Sequence, residues 1–420
     1  MPADLSGIRD LPRDEAFAIT ADFQADDHPQ KVSLGAGVYR DESSKPWVLP
    51  SVKEAKKRLH EQELNHEYLP IQGSEPFLTA ARELILGPAQ SENTVISIQT
   101  ISGTGANHLA AAFLSQHLKP KHVFFSDPTW SNHSLVWEVA APDVVQKTYP
   151  YYLPASRSLD FEGMMSTLES TAVEDDIVVL HACAHNPTGI DPSREQWRTL
   201  AELMKRKRLF PVFDSAYQGF ATGDVDADAW AVRYFQQTLF GATESEPRPQ
   251  GMGIAQSFAK NFGLYGERVG AFHLVLPPRA PAAGARSQLL RLVRAEMSNA
   301  PLFGCRVVAM ILSDPELRTR WKEDLQTMSG RIKRMRSILR REIEKHPKSE
   351  VGDWKHLEDQ IGMFSYTGLR EEQVLRLKDV HHVYLMRNGR ASLSGLTEAN
   401  AEYVADAIAE VMRYHPVGLK

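Results

Sequence analysis

Leu209-Phe210-Pro211-Val212-Phe213-Asp214-Ser215-Ala216-Tyr217 reads as a β-strand that ends on a carboxylate. Its five leading residues are all apolar, with no polar alternation, which suits a strand covered on both faces of a sheet. Working outward, runs of the same kind occur at Val95–Ile101, His122–Ser126, Ile177–Leu180, Ile254–Phe258 and Gly270–Leu276, beside Leu209–Asp214 itself. Helical stretches separate them, so the pattern predicts an α/β fold, a mainly parallel sheet flanked by helices. Each strand is followed by a segment rich in Gly, Asn, Pro, Ser or Thr. Such sheets bind ligands beyond the carboxyl ends of their strands, so the chemistry is expected in those following segments.

The pattern changes near residue 315. Pro315 to His346 is charged, with Leu325, Met328, Ile332, Met335, Ile338 and Leu339 at helical spacing. Two short strands, Met363–Tyr366 and Val383–Met386, and a last helix from Thr397 as N-cap to about Tyr414 complete the chain. Residues 45–314 are therefore expected to form a large domain and 315–420 a smaller α+β domain, with 1–44 as an N-terminal arm and part of the small one. The polar stretch 241–251 reads as a surface loop.

Composition narrows the function. The formal net charge is −5 over 420 residues, with no block of Lys and Arg, which gives no reason to expect nucleic acid or an anionic membrane surface as partner. No apolar run is long enough to span a bilayer. Two cysteines, Cys183 and Cys305, are too few for a disulfide framework. The mixed, acidic stretch Met1–Phe17 lacks the pattern of a secretory signal or a presequence, so cytoplasm is the expected compartment.

Four segments carry candidate chemistry. In Ser257-Phe258-Ala259-Lys260-Asn261-Phe262-Gly263, a lysine follows a buried strand among small and apolar neighbours, where desolvation makes an amine nucleophilic. Read alone, a solvated surface lysine is the commoner outcome. Asp214 at its strand end is either a functional carboxylate or a cap for the next turn. Ile101-Ser102-Gly103-Thr104-Gly105-Ala106-Asn107 joins a strand to a helix expected over Asn107–Leu118; its glycines and hydroxyls suit an anion, or merely a tight connection. His181-Ala182-Cys183-Ala184-His185-Asn186-Pro187-Thr188-Gly189 suggests a metal, but no second ligand pair stands at zinc spacing, and no metal is expected.

Together the four segments resemble the class I pyridoxal-phosphate aminotransferases, specifically those of the eukaryotic aspartate aminotransferase type. The resemblance runs from Val32–Arg40 to Ser394–Thr397 and is strongest at His66–Ile71, 181–189, Asp214–Phe220 and Gln256–Gly270. It implies the pyridoxal-phosphate fold of type I and pyridoxal 5'-phosphate as cofactor. By the same resemblance Lys260 is the Schiff-base lysine that also moves the substrate proton, Asp214 the partner of the cofactor's ring nitrogen, and Asn186 and Tyr217 the pair on its ring oxygen. Trp130 is similar to the residue stacked on the ring. Ser102, Gly103, Thr104, Ser257 and Arg268 correspond to the phosphate site, completed by Tyr68 from the partner of a homodimer with shared active sites. Arg390 resembles the arginine that grips the substrate α-carboxylate, Gly37 the backbone that touches substrate, and Arg294 the arginine that crosses the dimer to a distal carboxylate. The arrangement implies transamination of aspartate, or a related acidic amino acid, with 2-oxoglutarate.

The sequence also departs from that family. Glu296-Met297 replaces a Pro-aromatic segment, Ala300-Pro301 replaces Pro-Pro, and Ala391-Ser392-Leu393 replaces an Ile-led triplet. Ala16 and Ala36 stand where larger aliphatic residues close over the substrate, and 241–251 looks inserted. The alternative expectation is a divergent enzyme on the same fold, acting on a bulkier substrate or catalysing decarboxylation, elimination or substitution at the β-carbon, unless Phe17 or Met297 refills the space.

Overall fold

A computed structural model describes residues 7–88, 90–91, 93–241, 248–278, 280 and 282–413; of the 241–251 loop, 242–247 lie outside that set. Among the described residues the main sheet has seven strands. Their spatial order is Val95–Ile101, Val269–Val275, Met252–Ser257, Phe210–Ser215, Ile177–His181, His122–Asp127 and Val145–Pro150. Val269–Val275 runs antiparallel to both neighbours, and the other neighbouring pairs are parallel. The expected mainly parallel sheet is thus present, with one strand reversed.

Burial on both faces explains the unbroken apolar runs. Val178 and Leu180 enter one core with Phe124, Trp197 and Phe235, whereas Ile177 and Val179 enter another with Ile98, Phe125 and Phe272. The edge strand Val145–Pro150 was not foreseen because only Tyr149 in it is buried. Register sets the functional rim: His181 lies opposite Asp214, Asp214 opposite Ala255, and Gly270 opposite both Ser257 and Thr100. The carboxyl ends of the parallel strands therefore open along one edge.

The helix after Val95–Ile101 spans Ser102–His117, five residues earlier than the expected start at Asn107. The Ser-Gly-Thr-Gly segment is thus not a connecting loop but the first helical turn. Pro315–Ile343 forms the long helix, with Leu325, Met328, Ile332, Met335 and Leu339 buried along one stripe. The last helix begins at Ala401 rather than Thr397, although Thr397 still exchanges two hydrogen bonds with Asn400; Tyr414 lies outside the described residues. Phe364–Tyr366 pairs antiparallel with Arg390–Ser392, and Val383–Tyr384 pairs parallel with Val32–Ser33. That second pairing brings residues 34–37 beside Arg390, where Ser392 N donates to Leu34 O.

Candidate active site

The strand ends and the start of helix Ser102–His117 enclose a cleft of about 230 Å³. Ser102, Gly103, Thr104, Trp130, Asn186, Asp214, Tyr217, Ser257, Lys260 and Arg268 all line it. One end is built for an anion. The first turn of a 16-residue helix offers unpaired N–H groups and the positive end of its dipole. Ser102 Oγ lies 3.1 Å from Ser257 Oγ, with Arg268 beside them. Two glycines permit this approach: a Cβ on Gly270 would sit 2.5 Å from the Ser102 carbonyl carbon, and one on Gly103 would press on Ser257 Cβ at 3.0 Å.

The other end is a buried carboxylate. Asp214 Oδ2 accepts from His133 Nε2 and from Asn107 Nδ2, each at 3.0 Å. Burial pushes the Asp214 carboxyl up, but the His133 hydrogen bond and charge, with His181 and Lys260, hold it below its ordinary range. It is therefore an anion at neutral pH. Between the two ends stands Lys260, its Nζ 4.9 Å from the centre of the Tyr217 ring. Burial pulls the Lys260 ammonium below its usual value; Asp214 opposes that shift, and Arg268 and Arg390 add to it. Burial likewise raises the Tyr217 phenol. Trp130 meets His133 edge to face at 5.2 Å.

Arg390 is buried in an adjoining cavity of about 160 Å³, which Ala16, Glu15, Asp14, Met386 and Asn388 also line. Asn186 borders both spaces and so joins them. Arg390 Nη2 donates to Gly35 O at 3.0 Å, its Cζ lies 4.3 Å over Phe364, and its buried Nε has no partner. Gly37 lines neither cavity but faces the same Phe364 ring. Tyr68, 82% exposed, and Arg294, hydrogen-bonded to Ser298 Oγ, also lie outside their own chain's cleft. Phe17 is 78% exposed and does not refill the space at Ala16.

His133 and Tyr265 also belong to the site without having been singled out in the sequence, and Asn107 and His181 stood in candidate segments with no role assigned beside Asp214. The available signal was spacing: Asn107 is one helical turn beyond Gly103, and His133 follows Thr129, whose Oγ1 lies 2.9 Å from His133 Nδ1. His181 and His185 meet edge to face at 4.3 Å; among the described residues no three metal-ligating side chains converge.

A helix start suited to an anion, a desolvated lysine and an ionised carboxylate in one cleft fit pyridoxal phosphate, which carries an anionic group, an aldehyde and a ring nitrogen. This chain belongs to the class I and II aminotransferases, whose sequence pattern matches residues 29–408. It is 47% identical to an L-tyrosine:2-oxoglutarate aminotransferase of Aspergillus ustus, over 98% of this chain and 78% of that one. The solved aspartate aminotransferase from Saccharomyces cerevisiae cytoplasm superposes with a TM-score of 0.92 at 44% identity, covering 98% and 99% of the two chains. An aromatic-amino-acid aminotransferase from Burkholderia pseudomallei, solved covalently bound to pyridoxal phosphate, gives 0.90 at 37%, covering 98% and 100%. Aspartate aminotransferases of both cytoplasmic and mitochondrial location are among the similar proteins, and no described helix is long and apolar enough to cross a membrane.

Proposed function

We propose that this chain uses pyridoxal phosphate to move the amino group of aspartate, or a related acidic amino acid, to 2-oxoglutarate. The observation that carries the reading is the desolvated Lys260 between an anion-binding helix start and the Asp214 carboxylate, next to the buried Arg390. Bound pyridoxal phosphate supplies the electron sink for the charge left when the substrate Cα loses its proton. Lys260 forms the covalent link to the cofactor and carries that proton from Cα. Asp214 holds the ring nitrogen protonated. Asn186 and Tyr217 hydrogen-bond the ring oxygen, and Trp130 covers the ring. Ser102, Gly103, Thr104, Ser257 and Arg268 hold the phosphate. Arg390, with a buried donor edge to spare, takes the α-carboxylate, and backbone at Gly37 closes on the substrate.

In this reading residues 45–314 form the cofactor-binding domain and 315–420, with 1–44, the smaller one. The active unit is a homodimer to which Tyr68 and Arg294 contribute across the interface, and its compartment is the cytoplasm, as for the yeast relative. The purified protein should be yellow, and borohydride reduction should fix the cofactor on Lys260. Peptide mapping that finds the label on another lysine rejects the assignment.

A second reading rests on Ala16, which lines the Arg390 cavity with Phe17 turned outward. Ala36 lies in the segment whose Gly35 carbonyl holds Arg390. The chamber then admits acidic substrates bulkier than aspartate, or the aromatic one that names the Aspergillus relative. Placing branched side chains there with Ala16→Val/Ala36→Val should shift the kcat/KM ratio toward aspartate about tenfold to a hundredfold, since the pair adds four carbons and each contributes about 0.8 kcal/mol when fully buried. Assays with aspartate, 2-aminoadipate and tyrosine measure it, and an unchanged ratio removes this reading.

A further inference from the structure

Asn107 is a buried amide, 2% exposed, in a helix whose neighbouring buried residues are Ala106, Leu109, Ala110 and Ala111. An apolar residue would serve helix and core better, because asparagine is a poor helix former and burying an amide costs unless it is bonded. Its Nδ2 spends both hydrogens: one on Gly103 O at 3.0 Å, the other on Asp214 Oδ2 at 3.0 Å. Both partners only accept, so the amide has one workable orientation, NH₂ toward them. His133 Nε2 reaches the same Oδ2 at 3.0 Å, and a hydrogen bond to a carboxylate requires the proton on Nε2. Two donors thus converge on one oxygen, and among the described residues Oδ1 has no hydrogen-bond partner.

We infer that Asn107 is a positioning residue for transamination: with His133 it fixes the Asp214 carboxylate so that Oδ1 is kept for the cofactor's ring nitrogen, and through Gly103 it ties that carboxylate to the phosphate end of the site. The inference rests on the reading of Asp214 as the ring-nitrogen partner. The two contacts of the cofactor that must be held at a set separation are thereby linked by one side chain. Asn107 brings a neutral amide to this carboxylate, so its contribution does not change with pH. The other titratable groups whose charges act on this carboxylate or are acted on by it are His181, Lys260, Tyr217 and Cys183.

The test uses holoenzyme carrying Asn107→Leu or Asn107→Asp, with Asp214→Asn measured alongside. Asn107→Leu should retain the cofactor and lose kcat about tenfold to a hundredfold, as expected for one hydrogen bond to a charged group, with KM nearly constant. Its lost donor leaves the carboxylate charge less compensated, so the pH midpoint of the bound cofactor's visible absorbance should move upward. Asn107→Asp is nearly isosteric and settles the matter even if the leucine variant does not fold. Its new carboxyl stands about 3 Å from the old one, and such pairs share a proton. Turnover should therefore be low at neutral pH and rise as the pH is lowered, when a shared proton restores the donor. Wild-type kcat and absorbance midpoint in both variants would overturn the inference, as would a kcat loss with neither the midpoint shift nor the acid limb. If Asp214→Asn itself turns over normally, the reading of the site falls, and this inference with it.

Discussion

Asp214→Asn should bind pyridoxal phosphate and lose about a thousandfold in turnover. The binding half of this expectation follows from the anion end having side-chain partners of its own. Ser102, Thr104, Ser257 and Arg268 surround the anion end, and none of the hydrogen bonds to Asp214 involves their side chains. The turnover half follows from electrostatics. Two unit charges about 4 Å apart at an effective dielectric constant of about 20 interact by about 4 kcal/mol, which corresponds to about a thousandfold in rate. The amide also reverses the hydrogen-bond sense. Asn107 Nδ2 and His133 Nε2 both donate to position 214, so a substituted amide must turn its carbonyl to them and present NH₂ to the cofactor. That donor favours an unprotonated ring nitrogen, the wrong state for an electron sink. Cofactor occupancy from visible absorbance and kcat from steady-state assays separate the two halves. Near wild-type turnover would reject the charge role.

Those donors also mark the boundary of what the sequence revealed. The strands Val95–Ile101, Ile177–His181 and Phe210–Ser215 were legible because strands buried on both faces cannot hide an apolar run. Val145–Pro150 was not, because an edge strand with one buried residue carries no such signal. Lys260, Asp214, Asn186, Tyr217 and the Ser102–Thr104 turn were visible because their segments follow strand ends, where ligands bind in such sheets, and together resemble the family's motifs; neither the position nor any one segment alone assigned them. The roles of Asn107 and His133 were missed for the opposite reason. They lie inside helices, at positions where a polar residue normally faces solvent, and only the packing of those helices against the sheet turns them to the Asp214 carboxylate. The misplaced start of helix Ser102–His117 has a related cause. Glycine and serine argue for a loop, yet contact with Arg268 and Ser257 fixes Ser102 at φ +59° and begins the helix there.

Mixing Lys260→Ala and Arg294→Ala subunits should restore activity that neither homodimer has. Losing Lys260 removes both the covalent link and proton transfer, the latter alone worth about 10²–10⁴ in rate. Losing Arg294 strips the distal carboxylate of a paired cation, a change of about 3–5 kcal/mol when buried. The geometry favours donation across an interface. Arg294 and Tyr68 lie outside their own cleft, yet Asn299 Nδ2 donates to Leu69 O at 2.6 Å, which ties their two segments together on one surface. Beside that surface, the partly exposed Ile101, Leu135 and Val139 line an apolar cavity with Val293 and Met297. Thr104 and Arg268 border that cavity and the active-site cleft alike, so a second copy seated there meets the anion end directly. In the proposed twofold dimer each cleft would then receive Lys260 from one protomer and Arg294 from the other. A heterodimer therefore contains one site with both lesions and one with neither, and should recover about half of wild-type turnover. If each site used residues of one chain only, every site in the heterodimer would lack one group and activity would stay at the level of the homodimers. Two affinity tags isolate the mixed species, and steady-state assays with aspartate and 2-oxoglutarate decide between these outcomes.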